Sequence, residues 1–401
     1  MQVRVYMNIH LFSLRGSKYF QGQASQSDLP MQQNGKRLPH ISRNNIRIWP
    51  AMLAVLTLLL LVASACGDGD AEPDPVADPG PEGTKVGIGE GGVGGKLTVY
   101  SGRSEELLDP IIKQFADSSG VEVAVKYAGT AELAAILLEE GNNTPADLYF
   151  AQDPGGLGVV ADMMRPLPGD ILDLVPDWAQ SPEGRWVGVS GRARVVVYNT
   201  EKLTEAELPD DIFDFIDPKW KDRIGWAPAN GSFQTMVTGM RSLWGEEKTK
   251  QWLEGIKANK PKEYPKNTPI VAAAAGGEID VGFPNHYYLY RFLAEEGASF
   301  KARNYHPRAG GPGALIMVAG AGILTESDNK EAAEVFLKFM LSPVAQQYFA
   351  GQIFEYPLVE GVKTDTLVVP LDQINPPNID AKDLTDLEGT VELLRDVGVL
   401  P

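Results

Sequence analysis

The chain has 401 residues, of which 43% are hydrophobic and 22% charged, and its formal net charge at pH 7 is −17. This composition is that of a globular protein, and the length favours two or three domains. An acidic chain without a basic stripe is unsuited to nucleic acid or an anionic membrane surface, and the single cysteine, Cys66, excludes an intrachain disulfide and a cysteine-based zinc site.

The N-terminal region has the features of a secretory signal. A charge-free, leucine-rich run at residues 49–65 follows a basic segment and ends in small residues before Cys66. A cysteine in this position resembles a bacterial lipobox, in which the thiol is lipidated and becomes the mature N-terminus. The alternative is a membrane anchor, although the run is shorter than the ~20 residues of a typical span. We expect residues 1–66 to be a signal peptide with a lipobox, and about the first thirty to precede the true start.

Residues 67–95 are rich in Gly, Pro, Asp and Glu and have almost nothing to bury. This composition predicts a flexible acidic linker between the membrane and the folded part.

Strand and helix patterns then alternate. Residues 96–100, 121–127 and 147–150 are predicted strands. Apolar residues between Leu108 and Phe115 follow helical spacing, and Thr130 is predicted to cap a second helix that ends at Gly141. This order is the signature of a parallel sheet, whose loops at the carboxyl ends of the strands are available to a ligand.

The second half of the chain repeats this alternation. Residues 194–199 and 224–226 are predicted strands, and Asn230-Gly231-Ser232 leads into a helix. Strands and a helix over 262–283 end at Asn285-His286-Tyr287-Tyr288. A buried return strand at 315–319 precedes helices at 331–340 and 344–349, with Asn329 and Ser342 as predicted caps.

Two short motifs are candidates for binding. Two adjacent phenols beside an amide and an imidazole, at 285–288, are unusual after a strand, but the pattern by itself favours a purely structural pair of aromatic residues. Asn230-Gly231-Ser232 precedes a helix, where free backbone N–H groups and the helix dipole favour an anion. An ordinary turn and helix cap is the alternative there.

The order of these segments resembles the bacterial ferric-iron-binding proteins of ABC importers, within the class II periplasmic binding-protein superfamily, over nearly all of residues 96–401. The matching segments are 100–103, 144–153, 190–198, 285–288 and 342–343. The resemblance implies a two-lobed α/β fold, with a mainly parallel sheet flanked by helices in each lobe. Two hinge crossings, near Tyr198 and near 310–313, are expected to let the lobes close. Lobe 1 is predicted at 96–197 and 312–367, and lobe 2 at 198–311 and 368–401.

The resemblance also implies the site. Tyr287 and Tyr288 would be the iron ligands, and carbonate or phosphate would bind as a synergistic anion. The anion contacts would be Asn230, Gly231, Ser232, Asn267 and Asn285. This assignment is chemically coherent, because Fe(III) is a hard cation that prefers oxygen ligands, and a tyrosine with a pKa near 10 needs a strong positive charge to ionise at neutral pH.

The chain departs from the family at the first-lobe side of the site. Many relatives have a histidine where Ser104 stands and a glutamate where Gln152 stands, and some have a tyrosine where Phe233 stands. Neither Ser104 nor Gln152 is a good ferric ligand, so water, a second anion or a chelator would complete the metal shell. Arg103 and Arg192 are further candidates for contacts in the cleft, although a solvated surface arginine is the common alternative.

We therefore predict a lipid-anchored, monomeric, extracytoplasmic binding protein that delivers ferric iron to an ABC permease with its cytoplasmic ATPase and catalyses no reaction. The alternative is the same fold binding a small oxyanion, a ferric chelate, or a phosphorylated or organic solute through Arg103, Arg192 and the Asn230 loop. A hydrolase is disfavoured, since the chain lacks a G-x-S-x-G elbow and an H-E-x-x-H motif. A structural envelope lipoprotein would have a melting temperature that no ligand changes.

Overall fold

A computed structural model describes residues 94–401. The predicted signal peptide, the lipidation of Cys66 and nearly all of the predicted linker lie outside the described residues. Within residues 94–401, no helix is both long and apolar enough to cross a membrane.

The described chain contains ten strands and eleven α-helices. The strands are β1 (Lys96–Ser101), β2 (Glu122–Tyr127), β3 (Leu148–Ala151), β4 (Val187–Ala193), β5 (Val196–Asn199), β6 (Ile224–Trp226), β7 (Lys262–Glu263), β8 (Val281–Gly282), β9 (Ala302–Tyr305) and β10 (Ile316–Ile323). The helices are α1 (Glu105–Ser119), α2 (Thr130–Glu140), α3 (Pro154–Val159), α4 (Gly169–Leu172), α5 (Gly231–Trp244), α6 (Glu246–Ala258), α7 (Asn267–Ala275), α8 (Tyr287–Glu296), α9 (Lys330–Met340), α10 (Pro343–Gly351) and α11 (Leu387–Asp396).

The strands form two five-stranded sheets, in the orders β2-β1-β3-β10-β4 and β7-β6-β8-β5-β9. In the first sheet β10 runs antiparallel to both of its neighbours, and in the second sheet β5 does the same. The other four strands of each sheet share one direction. The predicted α/β class with a mainly parallel sheet in each lobe is confirmed. In each lobe, the antiparallel strand is the first one that the chain forms after it crosses from the other lobe.

The chain passes between the sheets twice. The first crossing is at Arg194 and Val195, between β4 and β5, and lies ahead of the predicted boundary because all of β5 pairs in the second sheet. The second crossing lies between β9 and β10 and includes the predicted residues 310–313.

Helix boundaries follow the local signals with one exception. Ser342 caps α10, because its side chain accepts a hydrogen bond from Ala345 N–H. Asn329 precedes α9 as predicted, although its side chain makes no capping bond. Thr130 does not cap α2 but is its first residue, and its hydroxyl instead accepts a hydrogen bond from Gln152 N–H. The predicted Thr130 cap is therefore wrong, because this hydroxyl serves a tertiary contact.

Each lobe has its own aromatic core. In the first lobe, Phe115 of α1 meets Phe336 of α9 edge to face, with ring centroids 5.1 Å apart. In the second lobe, Phe233 of α5 packs on Trp226 of β6 at 5.7 Å and is fully buried. Phe233, where some relatives have a tyrosine, therefore belongs to the core.

Candidate metal and anion site

A cavity of about 610 Å³ lies between the two sheets. Its walls come from segments that follow the carboxyl ends of β1, β2 and β3 in the first lobe and of β6, β7 and β8 in the second. Loops at these ends of parallel strands are the usual ligand sites of α/β folds, because successive connections leave a crevice there. The predicted residues Arg103, Ser104, Gln152, Asn230, Gly231, Tyr287 and Tyr288 all line this cavity.

Tyr287 and Tyr288 are the first two residues of α8, a short distance after β8. Their rings stack with centroids 4.2 Å apart and an interplanar angle of 30°. Burial, and then the neighbouring Tyr287 phenol, raise the pKa of Tyr288 well above its usual value, although the nearby Arg103 and Arg192 lower it in part. The Tyr288 phenol therefore keeps its proton at neutral pH until a stronger positive charge approaches it.

The Asn230 loop caps α5. The Asn230 side chain accepts a hydrogen bond from Ser232 N–H at 3.1 Å and a second from Asn267 Nδ2 at 3.3 Å. Asn267 is fully buried at the start of α7. Two helix N-termini thus meet at Asn230, and together they provide a positive electrostatic environment.

The hydroxyl of Ser232 joins the two lobes. It lies 2.6 Å from Gln152 Nε2, 3.4 Å from Arg192 Nη1 and 3.1 Å from Asn285 Nδ2. Gln152 and Arg192 belong to the first lobe, whereas Ser232 and Asn285 belong to the second. The structure therefore brings all the predicted anion-contact residues to one place, together with two of the predicted first-lobe contacts.

Ser104 lies apart from this network. It is exposed at the rim of the cavity, where it precedes α1 without a capping hydrogen bond. Gln152 donates a hydrogen bond to Ser232, and its amide side chain is uncharged. Neither Ser104 nor Gln152 therefore offers the metal a charged oxygen.

Arg103 is almost fully buried in the cavity wall beside Tyr287. Its Nη2 donates to Glu355 Oε1 at 2.7 Å, and its guanidinium lies 5.9 Å from the Tyr287 ring centre, within the range of a cation–π contact. Burial alone lowers the pKa of Arg103, but Glu355 and the Tyr287 phenol raise it by more, so the group stays charged. Arg103 Nε and Nη1 have no hydrogen-bond partner within the described chain.

Glu355 was not predicted, and no local signal marks it. It is fully buried, and Ser190 Oγ donates to its second oxygen at 2.5 Å. Only the tertiary fold brings it to Arg103.

Arg194 was also missed. It is fully buried, donates to Asn285 Oδ1 at 2.9 Å and contacts the Phe283 carbonyl. Burial, and then the positive charge of Arg192, lower the pKa of Arg194 to about 9. Its position two residues after Arg192 could have predicted it, since residues at this spacing on an extended chain lie on the same face.

Asp153 is the third missed residue. Its Oδ1 caps α3 by accepting a hydrogen bond from Gly156 N–H at 3.0 Å, and burial raises its pKa. Its Oδ2 faces Gly231 so closely that a Cβ at Gly231 would lie 2.7 Å away. A larger residue at 231 would therefore separate α3 from α5 at the closed cleft.

His286 has a structural position. Its Nδ1 accepts a hydrogen bond from Ala193 N–H at 3.1 Å, its Nε2 lies 2.8 Å from the Phe354 carbonyl, and its ring stacks on Tyr356 at 4.6 Å. Burial, and then His306, lower the pKa of His286 to about 3, so the ring is neutral. His286 therefore links the segment after β8 to the first lobe and is not free to bind a metal.

Within residues 94–401, no group of three or more His, Cys, Asp and Glu side chains is arranged to hold a metal ion. Three carboxylates line the cavity, those of Glu106, Glu132 and Asp153, but they form no such group. The two phenols of Tyr287 and Tyr288 are the adjacent oxygen donors on the second-lobe wall.

Comparisons with known proteins place the chain in a family. Residues 131–383 match the family described as "Bacterial extracellular solute-binding protein". The chain is 33% identical over 315 residues to the major ferric iron-binding protein of Neisseria meningitidis, which covers 76% of this chain and 93% of that protein.

Solved structures agree with this match. The structure of iron-bound HitA from Pseudomonas aeruginosa has a TM-score of 0.73 and 33% identity, covering 76% of this chain and 99% of that one. The Trichodesmium protein IdiA (FutA), in complex with iron and citrate, has a TM-score of 0.66 and 26% identity, covering 76% and 99%. The chain therefore belongs to the family of bacterial extracellular solute-binding proteins and is similar within it to ferric iron-binding proteins.

Proposed function

We propose that this protein captures ferric iron, together with a synergistic anion, in the cleft between its lobes and delivers it to an ABC importer. The main support is the stacked pair Tyr287 and Tyr288 on the cavity wall. Relatives that match over most of this chain are named for ferric iron or hold it in their structures. The family consists of binding proteins, so this protein is not an enzyme, as the sequence predicted.

The phenols and the trivalent cation suit each other. Fe(III) prefers hard oxygen ligands, and its charge favours the ionised phenolate over the phenol. The partly buried Tyr288 phenol holds its proton in the absence of a cation, so iron binding at Tyr287 and Tyr288 is coupled to proton release.

Carbonate or phosphate is the proposed anion, held at the N-termini of α5 and α7. Asn230, Gly231, Asn267 and Asn285 surround this position, and Ser232 lies among them. Arg192 and Arg103 supply positive charge from the first lobe, where they are fully or almost fully buried. A small oxyanion matches these donors, because charge-assisted hydrogen bonds from buried guanidinium groups are strong.

The alternative ligands have less support. A free oxyanion or an organic solute would suit the arginines but would leave two adjacent phenols without a hard cation. A ferric chelate remains within the proposal, since the side chains of Ser104 and Gln152 leave coordination positions for a chelator's oxygens.

Iron loading of the purified protein tests the proposal. We expect a visible absorption band from phenolate-to-iron charge transfer, and Tyr288→Phe and Tyr287→Phe should each weaken iron binding by at least about 100-fold, through loss of an anionic oxygen ligand. Tyr290→Phe is the matched control, because Tyr290 is buried on the same helix but does not line the cavity. Colourless iron-loaded protein, or equal iron affinity of the Tyr288 variant and the wild type, would contradict the proposal.

The family is extracellular, and we propose in addition that a lipid anchors this protein to the membrane. Lipid on Cys66 would hold the protein at the outer face of the cell membrane, with residues 67–95 as a tether, and we propose that the folded part acts as a monomer. Metabolic labelling with a radioactive fatty acid, compared between the wild type and Cys66→Ala, tests the anchor.

A further inference from the structure

The hydroxyl oxygen of Ser232 has more hydrogen-bond donors around it than it can accept. Three N–H groups lie 2.6, 3.1 and 3.4 Å from it, from Gln152, Asn285 and Arg192 respectively. A hydroxyl oxygen has only two acceptor lone pairs. An oxygen with more lone pairs and more negative charge would therefore satisfy these three donors better than the Ser232 hydroxyl does.

The charge of Arg192 leads to the same conclusion. This side chain is fully buried, and both of its hydrogen bonds go to neutral oxygens, Ser232 Oγ at 3.4 Å and Val318 O at 3.5 Å. Its Nε has no partner within the described chain. The nearby carboxylate of Asp153 interacts with Arg192 electrostatically, but neither of its oxygens hydrogen-bonds to the guanidinium. A charged oxygen within hydrogen-bond distance would therefore stabilise Arg192 more than its long bonds to neutral acceptors do.

The donors also come from both sides of the cleft. Gln152 and Arg192 approach from the first lobe, and Asn285 approaches from the second beside Ser232 itself. The hydroxyl is fully buried where the lobes meet, so it also holds the lobes together. An oxyanion at the same point would take the same three donors and join the lobes in the same way.

We propose that the Ser232 hydroxyl is an internal substitute for an anion oxygen, and that it weakens anion binding by occupying the donors of Gln152, Asn285 and Arg192. Ser232 is thus a specificity-determining residue that an incoming oxyanion must displace. This inference rests on the anion site of the proposed function and concerns the side chain of Ser232, whereas its backbone stays part of the α5 N-terminus.

The test is calorimetric titration of iron-free, full-length protein with inorganic phosphate and, separately, with bicarbonate. Ser232→Ala removes the competing oxygen, so we expect about a tenfold lower dissociation constant for one or both anions. Thr238→Ala is the matched control: it removes a buried hydroxyl from the same helix, but that hydroxyl bonds to Gln234 O and Thr390 Oγ1. Unchanged or weaker binding in Ser232→Ala, or no binding of either anion to the wild type, would overturn the inference.

A second measurement needs no folded Ser232 variant. In the wild type, the side-chain amide signals of Gln152 and Asn285 in ¹H–¹⁵N NMR spectra should both shift when phosphate or bicarbonate binds. Binding without these shifts would refute the inference. The iron colour test is independent, since a coloured protein whose Ser232→Ala variant binds anions less well would overturn this inference and leave the ferric function standing.

Discussion

On the second-lobe wall of the cleft, α8 presents two phenol oxygens. On the first-lobe side, Arg103 and Gln152 line the cavity and Arg192 lies buried against Ser232, so this side presents nitrogen donors. Phenols need a cation before they ionise, whereas buried guanidinium groups need an anion to compensate their charge. The two walls therefore have opposite requirements. A metal with a bound oxyanion meets both at once, which a free metal or a free anion does not.

This division differs from a cleft in which both lobes supply metal ligands. Ser104 is a neutral hydroxyl at the rim, and Gln152 donates to Ser232 instead of offering a charge. We infer that the second lobe holds the metal and that the first lobe acts mainly through the anion.

The largest expected effect is the pH dependence of iron binding, which tests the second-lobe wall. Each ligand tyrosine must lose its proton, and burial followed by the neighbouring phenol raises the pKa of Tyr288, so lowering the pH favours the iron-free phenol. With two protons released per iron, affinity should fall about 100-fold for each pH unit below neutrality. Competition with a chelator of known protonation constants, from pH 8 to pH 6, measures this slope.

In the Tyr288→Phe variant the slope should fall to about one proton per iron. A wild-type affinity that does not change with pH would mean that no phenolate is formed, and the contrast between the two walls would then be lost.

A smaller effect is expected from giving the first lobe a charged oxygen. Gln152→Glu places a carboxylate on the cavity wall, and we expect about tenfold tighter iron binding, because a carboxylate is a hard ligand. The same change should weaken phosphate binding to the iron-free protein by like-charge repulsion. Chelator competition and calorimetry measure the two effects.

Gln347→Glu adds the same charge at an exposed position of α10 and should change neither affinity. If Gln152→Glu did not tighten iron binding, the first-lobe wall would be out of reach of the metal.

The smallest effect concerns a contact between the two walls. Glu106 of α1 and Arg291 of α8 form an ion pair at the cavity, with side chains that are 69% and 29% exposed. Exposed pairs contribute little, so Glu106→Gln should speed iron release by only about two- to fivefold. Stopped-flow mixing with excess chelator measures this rate, and ~1 M salt should abolish the difference.

Glu105→Gln changes an exposed neighbour on the same turn of α1 and serves as the control. If salt left the difference unchanged, the effect of Glu106 would not be electrostatic.

Much of the site could be predicted from single positions. Tyr287 and Tyr288 are adjacent in the sequence, and Asn230-Gly231-Ser232 precedes a helix, so local pattern and family resemblance were sufficient to find them. Asp153 and Arg194 lie beside predicted residues and were missed because a charged side chain next to a strand is usually solvated. His286 has a ligand-type side chain, and only its buried contacts with Ala193 and Phe354 show that it is structural.

The sequence by itself determined the α/β class, the order of the elements and the segments that reach the cleft, because hydrophobic periodicity, caps and turns act over a few residues. Only the tertiary structure decided which polar groups meet. Arg103 pairs with Glu355 across 252 positions, and Gln152 meets Ser232 across 80. Such partners have no shared local pattern, since burial and the closure of the two lobes select them after the strands have paired.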